Sequence, residues 1–209
     1  MLFGDSYYTV AGPSEGLYKD KGSKFLAYLM PVANESDIKA ALLQLRKEHP
    51  SARHHCYAWR LGPDAEASRA NDDGEPSGTA GKPILNQLKS AALTNVLLVV
   101  VRYFGGTLLG VNGLIQAYKS AAVDAIDKAS KLEKFIEYGY TLRFDAADSS
   151  QVMRVLKDLD AKIISNSYDT RSVLEFDIKK RFADQLEERI KELYTTELTY
   201  GHTHRYEKK

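Results

Sequence analysis

V-L-L-V-V-V-R-Y-F-G-G, from Val96 to Gly106, is the stretch on which the fold turns. An apolar run this continuous describes a strand buried on both faces, and only the middle of a sheet provides that. Gly105-Gly106 ends it, and from Asn112 to Ser130 the residues Leu114, Tyr118, Ala121, Ala125 and Ile126 share one helical face. Arg102 is the anomaly. A guanidinium closing so apolar a strand needs a carboxylate or a ligand as its partner.

Toward the amino terminus, Phe25 to Val32 predicts a strand that ends at a loop around Asn34. Ser36 to His49 predicts a helix with Ile38, Ala41, Leu42 and Leu45 on one face and Pro50 beyond its end. His54 to Leu61 is the next strand. Its alternation puts His54, Cys56, Ala58 and Arg60 on one side and His55, Tyr57, Trp59 and Leu61 on the other. A polar loop, N-D-D-G-E-P-S-G-T-A-G-K-P from Asn71 to Pro83, follows with three glycines and three carboxylates. Its composition demands backbone conformations that glycine adopts cheaply, and such loops are where binding usually sits. Pro83 suits the first turn of a helix continued by Leu85, Leu88 and Ala92.

Toward the carboxyl terminus a second pattern runs strand, helix, strand, strand, helix, strand. Its elements are Ile136–Phe144, Ser149–Leu159, Lys162–Tyr168, Ser172–Ile178, Phe182–Tyr194 and Thr196–Arg205. This is the split βαβ, ferredoxin-like order. Two α+β domains are expected, 1–130 and 136–207, with the charged K-A-S-K-L-E-K segment near Lys131 between them.

The chain has 209 residues, 44% hydrophobic and 27% charged, with a net charge of +1. Residues 140–209 carry thirteen Lys/Arg and thirteen Asp/Glu, so the excess belongs to the first 139 residues. A protein held to nucleic acid by bulk charge would be more basic. The lone Cys56 forbids an internal disulfide and fits a reducing compartment. The start, M-L-F-G-D-S-Y-Y, has no signal-peptide pattern, and Val96 to Val101 is too short to span a bilayer. A cytoplasmic protein without membrane attachment is expected.

Three segments together resemble the IMPACT family, whose bacterial members are the YigZ type. They are G-S-K-F (Gly22 to Phe25), D-D-G-E-P-S-G-T-A-G-K-P-I-L (Asp72 to Leu85) and V-V-V-R-Y-F-G-G-T-L-L-G (Val99 to Gly110), with A-Y at Ala117-Tyr118 also matching. The resemblance covers roughly residues 15–128. It implies a first domain of the two-layer α+β type found in elongation factor G domain IV, followed by the ferredoxin-like domain. It implies a link to translation, with RNA or the ribosome as partner, and no settled biochemical activity for the bacterial members. The eukaryotic member's interaction with a kinase activator uses an additional amino-terminal module for which this chain has no room, so that role is not expected here. The sequence departs from the family where lysine is usual at Leu108, glycine at Asn112 and arginine at Gln116.

The chemistry divides several ways. Gly81-Lys82 fails the phosphate-loop pattern, because Pro76 and Pro83 occupy two required positions. Asp72, Asp73 and Glu75 could hold Mg²⁺, but capping of N-H groups or pairing with Arg69, Lys82 or Arg102 is the commoner fate. Cys56 and His54 lie about 7 Å apart on a strand, beyond hydrogen-bond reach. Ser77 and Thr79 lack a nucleophile elbow, and His202 and His204 lack further metal ligands. No cofactor, metal or catalytic residue is expected.

What remains is a candidate ligand or nucleic-acid site in which the Asp72–Lys82 loop folds over the Arg102–Gly106 turn. Its residues are Arg53, His54, Asp72, Asp73, Gly74, Glu75, Ser77, Gly78, Thr79, Gly81, Lys82, Arg102, Tyr103, Gly105 and Gly106. The leading expectation is a non-catalytic, translation-linked factor. An enzyme of the hydrolase or phosphotransfer kind, with its site between these loops, is the alternative, and a protein-interaction module is the third.

Overall fold

The computed structural model describes residues 5–193 and 195–203. The apolar run is β6 (Val96–Tyr103), buried at every position except Tyr103. It is the middle strand of a five-stranded sheet ordered β2-β3-β6-β4-β5, built with β2 (Ser14–Asp20), β3 (Ser23–Pro31), β4 (His54–Leu61) and β5 (Ala67–Asn71). All four strand pairings are antiparallel.

Period-two alternation sends the strands' side chains into two cores. Leu98, Val100, Phe25, Ala27, Cys56 and Ala58 pack beneath α2 (Gly81–Ser90) and α3 (Gly110–Lys128). Leu97, Val99, Val101 and Trp59 pack with Ile38 and Leu45 of α1 (Glu35–Glu48) on the other side. The sheet and the α2–α3 pair form the two expected layers, and α1 covers the remaining face. Asn34 caps α1 by accepting the Asp37 N-H, while Asp37 accepts the Ala33 N-H in return.

Two strands of this sheet carry no strong apolar signal in the sequence. A-S-R-A-N of β5 is almost wholly exposed at the sheet edge, so the polar loop follows a hairpin and not β4 directly. β2 lies on the opposite edge, its Gly16 close enough to α3 that a Cβ would stand 2.5 Å from the Ala125 nitrogen. The charged segment around Lys131 likewise forms a strand, β7 (Lys131–Phe135), paired with β1 (Ser6–Val10).

Residues Tyr7–Lys134 form one unit, and the described residues from Phe135 onward, with Asp5 and Ser6, form another. The second contains β8 (Glu137–Phe144), α4 (Ser149–Asp158), β9 (Lys162–Tyr168), β10 (Ser172–Lys179), α5 (Ala183–Lys191) and β11 (Glu197–Thr203). Its sheet order, β11-β8-β10-β9, is the ferredoxin-like arrangement. Leu142, Phe144, Val152, Leu156, Leu174, Phe176 and Leu186 fill its core. Tyr194, His204 and Arg205 lie outside the described residues, as does the side chain of His202. No helix among the described residues is long and apolar enough to cross a membrane.

Candidate functional site

Sheet register builds the site. Arg102 stands opposite Phe25 on β3 and His54 on β4, so its side chain emerges on the α2–α3 face between them. Its guanidinium lies 5.5 Å from the Phe25 ring centre and 5.6 Å from that of Phe104. Arg102 is only 7% exposed. Its Nη1 donates to Glu75 Oε1 at 2.6 Å, and the same oxygen accepts the Tyr118 hydroxyl at 2.7 Å. Arg102 thus joins the polar loop to the strand end, with α3 contributing Tyr118 from below. Arg102 Nε is buried without a partner among the described residues.

The other two carboxylates of the loop serve its shape. Asp72 accepts N-H groups from Gly78, Ala80 and Gly81, and so caps α2 from outside the helix. This explains why α2 begins at Gly81, two residues ahead of Pro83. Burial works against ionisation of Asp72, but the N-H groups of Gly78, Gly81 and Ala80 outweigh it and hold the carboxyl below its ordinary value. Asp73 accepts from Arg46 and from the His55 N-H, each at 2.7 Å. Of the partners expected for these carboxylates, Arg102 takes Glu75, while Asp73 pairs with Arg46 of α1 in place of Arg69 or Lys82.

Between the loop, the end of β6 and the start of α3 lies an open groove of about 870 Å³. Ser51, Arg53 and His54 line its polar end, and Glu75 and Arg102 its floor. Phe104, Leu108, Leu109, Val111 and Leu114 make up its apolar lining. Phe104 is 58% exposed, Leu108 82% and Val111 57%. His54 Nδ1 faces the Asp73 carbonyl at 2.9 Å. A carbonyl only accepts, so Nδ1 carries a proton toward it and Nε2 is the ring's remaining polar atom.

Of the residues singled out from the sequence, Arg53, His54, Glu75, Arg102 and Tyr103 line the groove. Tyr103 also bonds His49 Nδ1 through its hydroxyl at 2.8 Å, which ties it to α1. Asp72, Asp73, Gly74, Gly78, Thr79 and Gly81 shape the loop: Gly74 and Gly78 take positive φ, and the Thr79 hydroxyl donates to the Pro76 carbonyl. A Cβ on Gly81 would meet the Asn71 backbone nitrogen at 2.5 Å. Ser77 and Lys82 are exposed and do not line the groove. Gly105 packs on Gly22, where a Cβ would fall 1.9 Å from the carbonyl carbon, and its N-H donates to the buried Ser23 hydroxyl. Gly106 takes φ +88° in the same turn.

Sequence reasoning passed over Tyr118 and the lining of Leu108, Leu109, Val111 and Leu114 as site residues. The sign of the lining was present, since Leu108 and Val111 are apolar yet fall off the core stripe of α3. The reactive groups beneath the groove are quiet. Burial pushes the Cys56 thiol well up, and its single S-H has the Asp72 carbonyl and the Tyr118 oxygen within reach as acceptors. Burial likewise raises the Tyr118 hydroxyl.

The Impact N-terminal domain model matches residues 21–126. IMPACT family member YigZ of Escherichia coli (strain K12) is 37% identical over 166 residues, covering 78% of this chain and 81% of that protein. Protein IMPACT of Homo sapiens is 35% identical over 96 residues, which are 44% of this chain and 29% of the human protein. A crystal structure of a hypothetical protein superposes with a TM-score of 0.71 at 31% identity, covering 96% of this chain and 99% of that one.

Proposed function

The chain belongs to the IMPACT family, and on that premise we propose that it is a non-catalytic, translation-linked factor that engages RNA or the ribosome through the groove of its first unit. One observation carries the reading: the Phe104 ring, 58% exposed, stands at the groove with the Arg102 guanidinium 5.6 Å from its centre and Arg53 and His54 nearby. Exposed rings beside cations suit single strands, because every base offers a face to stack. The engagement of Glu75 by Arg102 and Tyr118, and the raised thiol and hydroxyl below, support a binding role over a nucleophilic one.

A net charge of +1 leaves little to bulk attraction, so affinity rests on local phosphate contacts and falls with salt in proportion to their number. The test is binding of a labelled single-stranded RNA by fluorescence anisotropy, together with co-sedimentation with ribosomes at low and moderate salt. Binding in either assay that weakens as salt rises from low to moderate is expected, and salt-insensitive binding counts against the reading. No binding in either assay, or retention only of a protein that survives nuclease treatment, overturns the reading.

A further inference from the structure

We propose that the groove is a slot for one unstacked nucleotide, its base held between the Phe104 ring and the aliphatic wall of Leu108 and Val111, its ribose beside His54 and its phosphate toward Arg53. The proposal rests on the preceding reading and narrows it to one subsite. Four observations carry it.

The first is size. A groove of about 870 Å³ falls within the roughly 300–1,000 Å³ range of small-molecule sites, and a nucleotide fits it where a duplex does not. The second is the exposed apolar lining. Phe104 offers an exposed ring, while Leu108 and Val111 offer exposed aliphatic surface where the start of a helix would ordinarily be polar. A base has two apolar faces and needs both covered once it leaves its stack.

The third is the floor. Arg102 is 7% exposed and lines the groove, yet Glu75 is its one hydrogen-bond partner among the described residues, held through Nη1. A guanidinium has five donors and the pair with Glu75 uses one; Nε is enclosed, so an acceptor arriving in the groove is met by the remaining Nη donors. The carbonyl oxygens and ring nitrogens on a base edge supply acceptors of that kind. The fourth is His54. With Nδ1 spent on the Asp73 carbonyl, Nε2 is the ring atom left to meet a ribose 2′-hydroxyl, which is both donor and acceptor and which a deoxyribose lacks.

The same chemistry could arrive on a strand or as a free mononucleotide, and the experiment separates the two. The full-length chain is titrated into fluorescein-labelled octauridylate, with unlabelled octauridylate, its duplex with octaadenylate and free uridine monophosphate as competitors. Phe104→Ala and Leu108→Glu are measured alongside, since both residues are exposed and neither substitution disturbs the core. Expected are competition by the single strand but not by the duplex, and a roughly 5- to 150-fold weakening in Phe104→Ala, the range that one stacking ring supplies. Leu108→Glu weakens binding too, with the thermal midpoint of each variant unchanged. Competition by the monophosphate at micromolar concentration identifies a free nucleotide as the natural occupant, and its failure to compete identifies a strand. If the single strand binds the variants as tightly as the unaltered chain, or if the duplex competes equally, the slot is overturned while RNA binding stands. If neither octauridylate nor the monophosphate binds, the slot fails, and ribosome co-sedimentation alone then decides the broader reading.

Discussion

Arg102 shows what one residue can announce and what it cannot. A cation at the end of a buried strand had to be paired, and that much was legible in V-V-V-R-Y. The choice among Asp72, Asp73 and Glu75 was not, because it depends on where the loop backbone carries each carboxylate. The structure selects Glu75, with Tyr118 sharing the same oxygen. Removing one partner strands a buried charge, so Arg102→Ala is expected to cost about 3–5 kcal/mol. Replacing both at once, as Arg102→Met with Glu75→Leu, should cost less than either single change. Urea denaturation of the three variants measures this, and a double variant weaker than both singles refutes it. Gly105 is the second residue without latitude. A methyl group there would enter the Gly22 backbone, so Gly105→Ala is expected to lose at least about 3 kcal/mol by the same measurement.

At the scale of elements, those with strong apolar periodicity were legible and those defined by pairing alone were not. β6, α1, α3 and the strands and helices of the second unit follow their hydrophobic patterns to within a few residues. β5 and β2 are edge strands, polar or mixed in composition, and only the register of their neighbours makes them strands. The start of α2 was displaced because its cap, Asp72, lies eight residues before Ala80 in sequence. Asp72→Ala is therefore expected to destabilise by about 0.5–2 kcal/mol at neutral pH. The Asp72 carboxyl is held below its ordinary value in the folded chain, so the native state binds its proton less readily than the unfolded state. Its contribution is present above about pH 4, the unfolded carboxyl value, and disappears as pH falls through the folded one. Thermal midpoints of the chain and of Asp72→Asn should accordingly differ at pH 7 and converge in acid. A gap that widens in acid would contradict the capping role.

At the scale of the whole molecule, the separate cores of the two units argue that each unfolds on its own terms. Leu98→Ala, in the first core, is expected to cost about 2–5 kcal/mol and to move one calorimetric transition while leaving the other in place. A single transition that shifts as a whole would show the units to be coupled. The groove itself was only half legible at this scale, since Leu108 was noted only as a departure from the family's lysine and the helix was expected to begin at Asn112, while α3 begins at Gly110 and Leu108 and Leu109 line the groove. That placement divides the site by its capacity for change. Single substitutions at the seat of Glu75, Arg102 and Tyr118, and at the crossing of Gly105 on Gly22, carry a large cost in stability. Phe104, Leu108 and Val111 are exposed and lie outside the core. A lineage exploring new partners would do so by rewriting that rim, on a foundation too tightly fitted to drift.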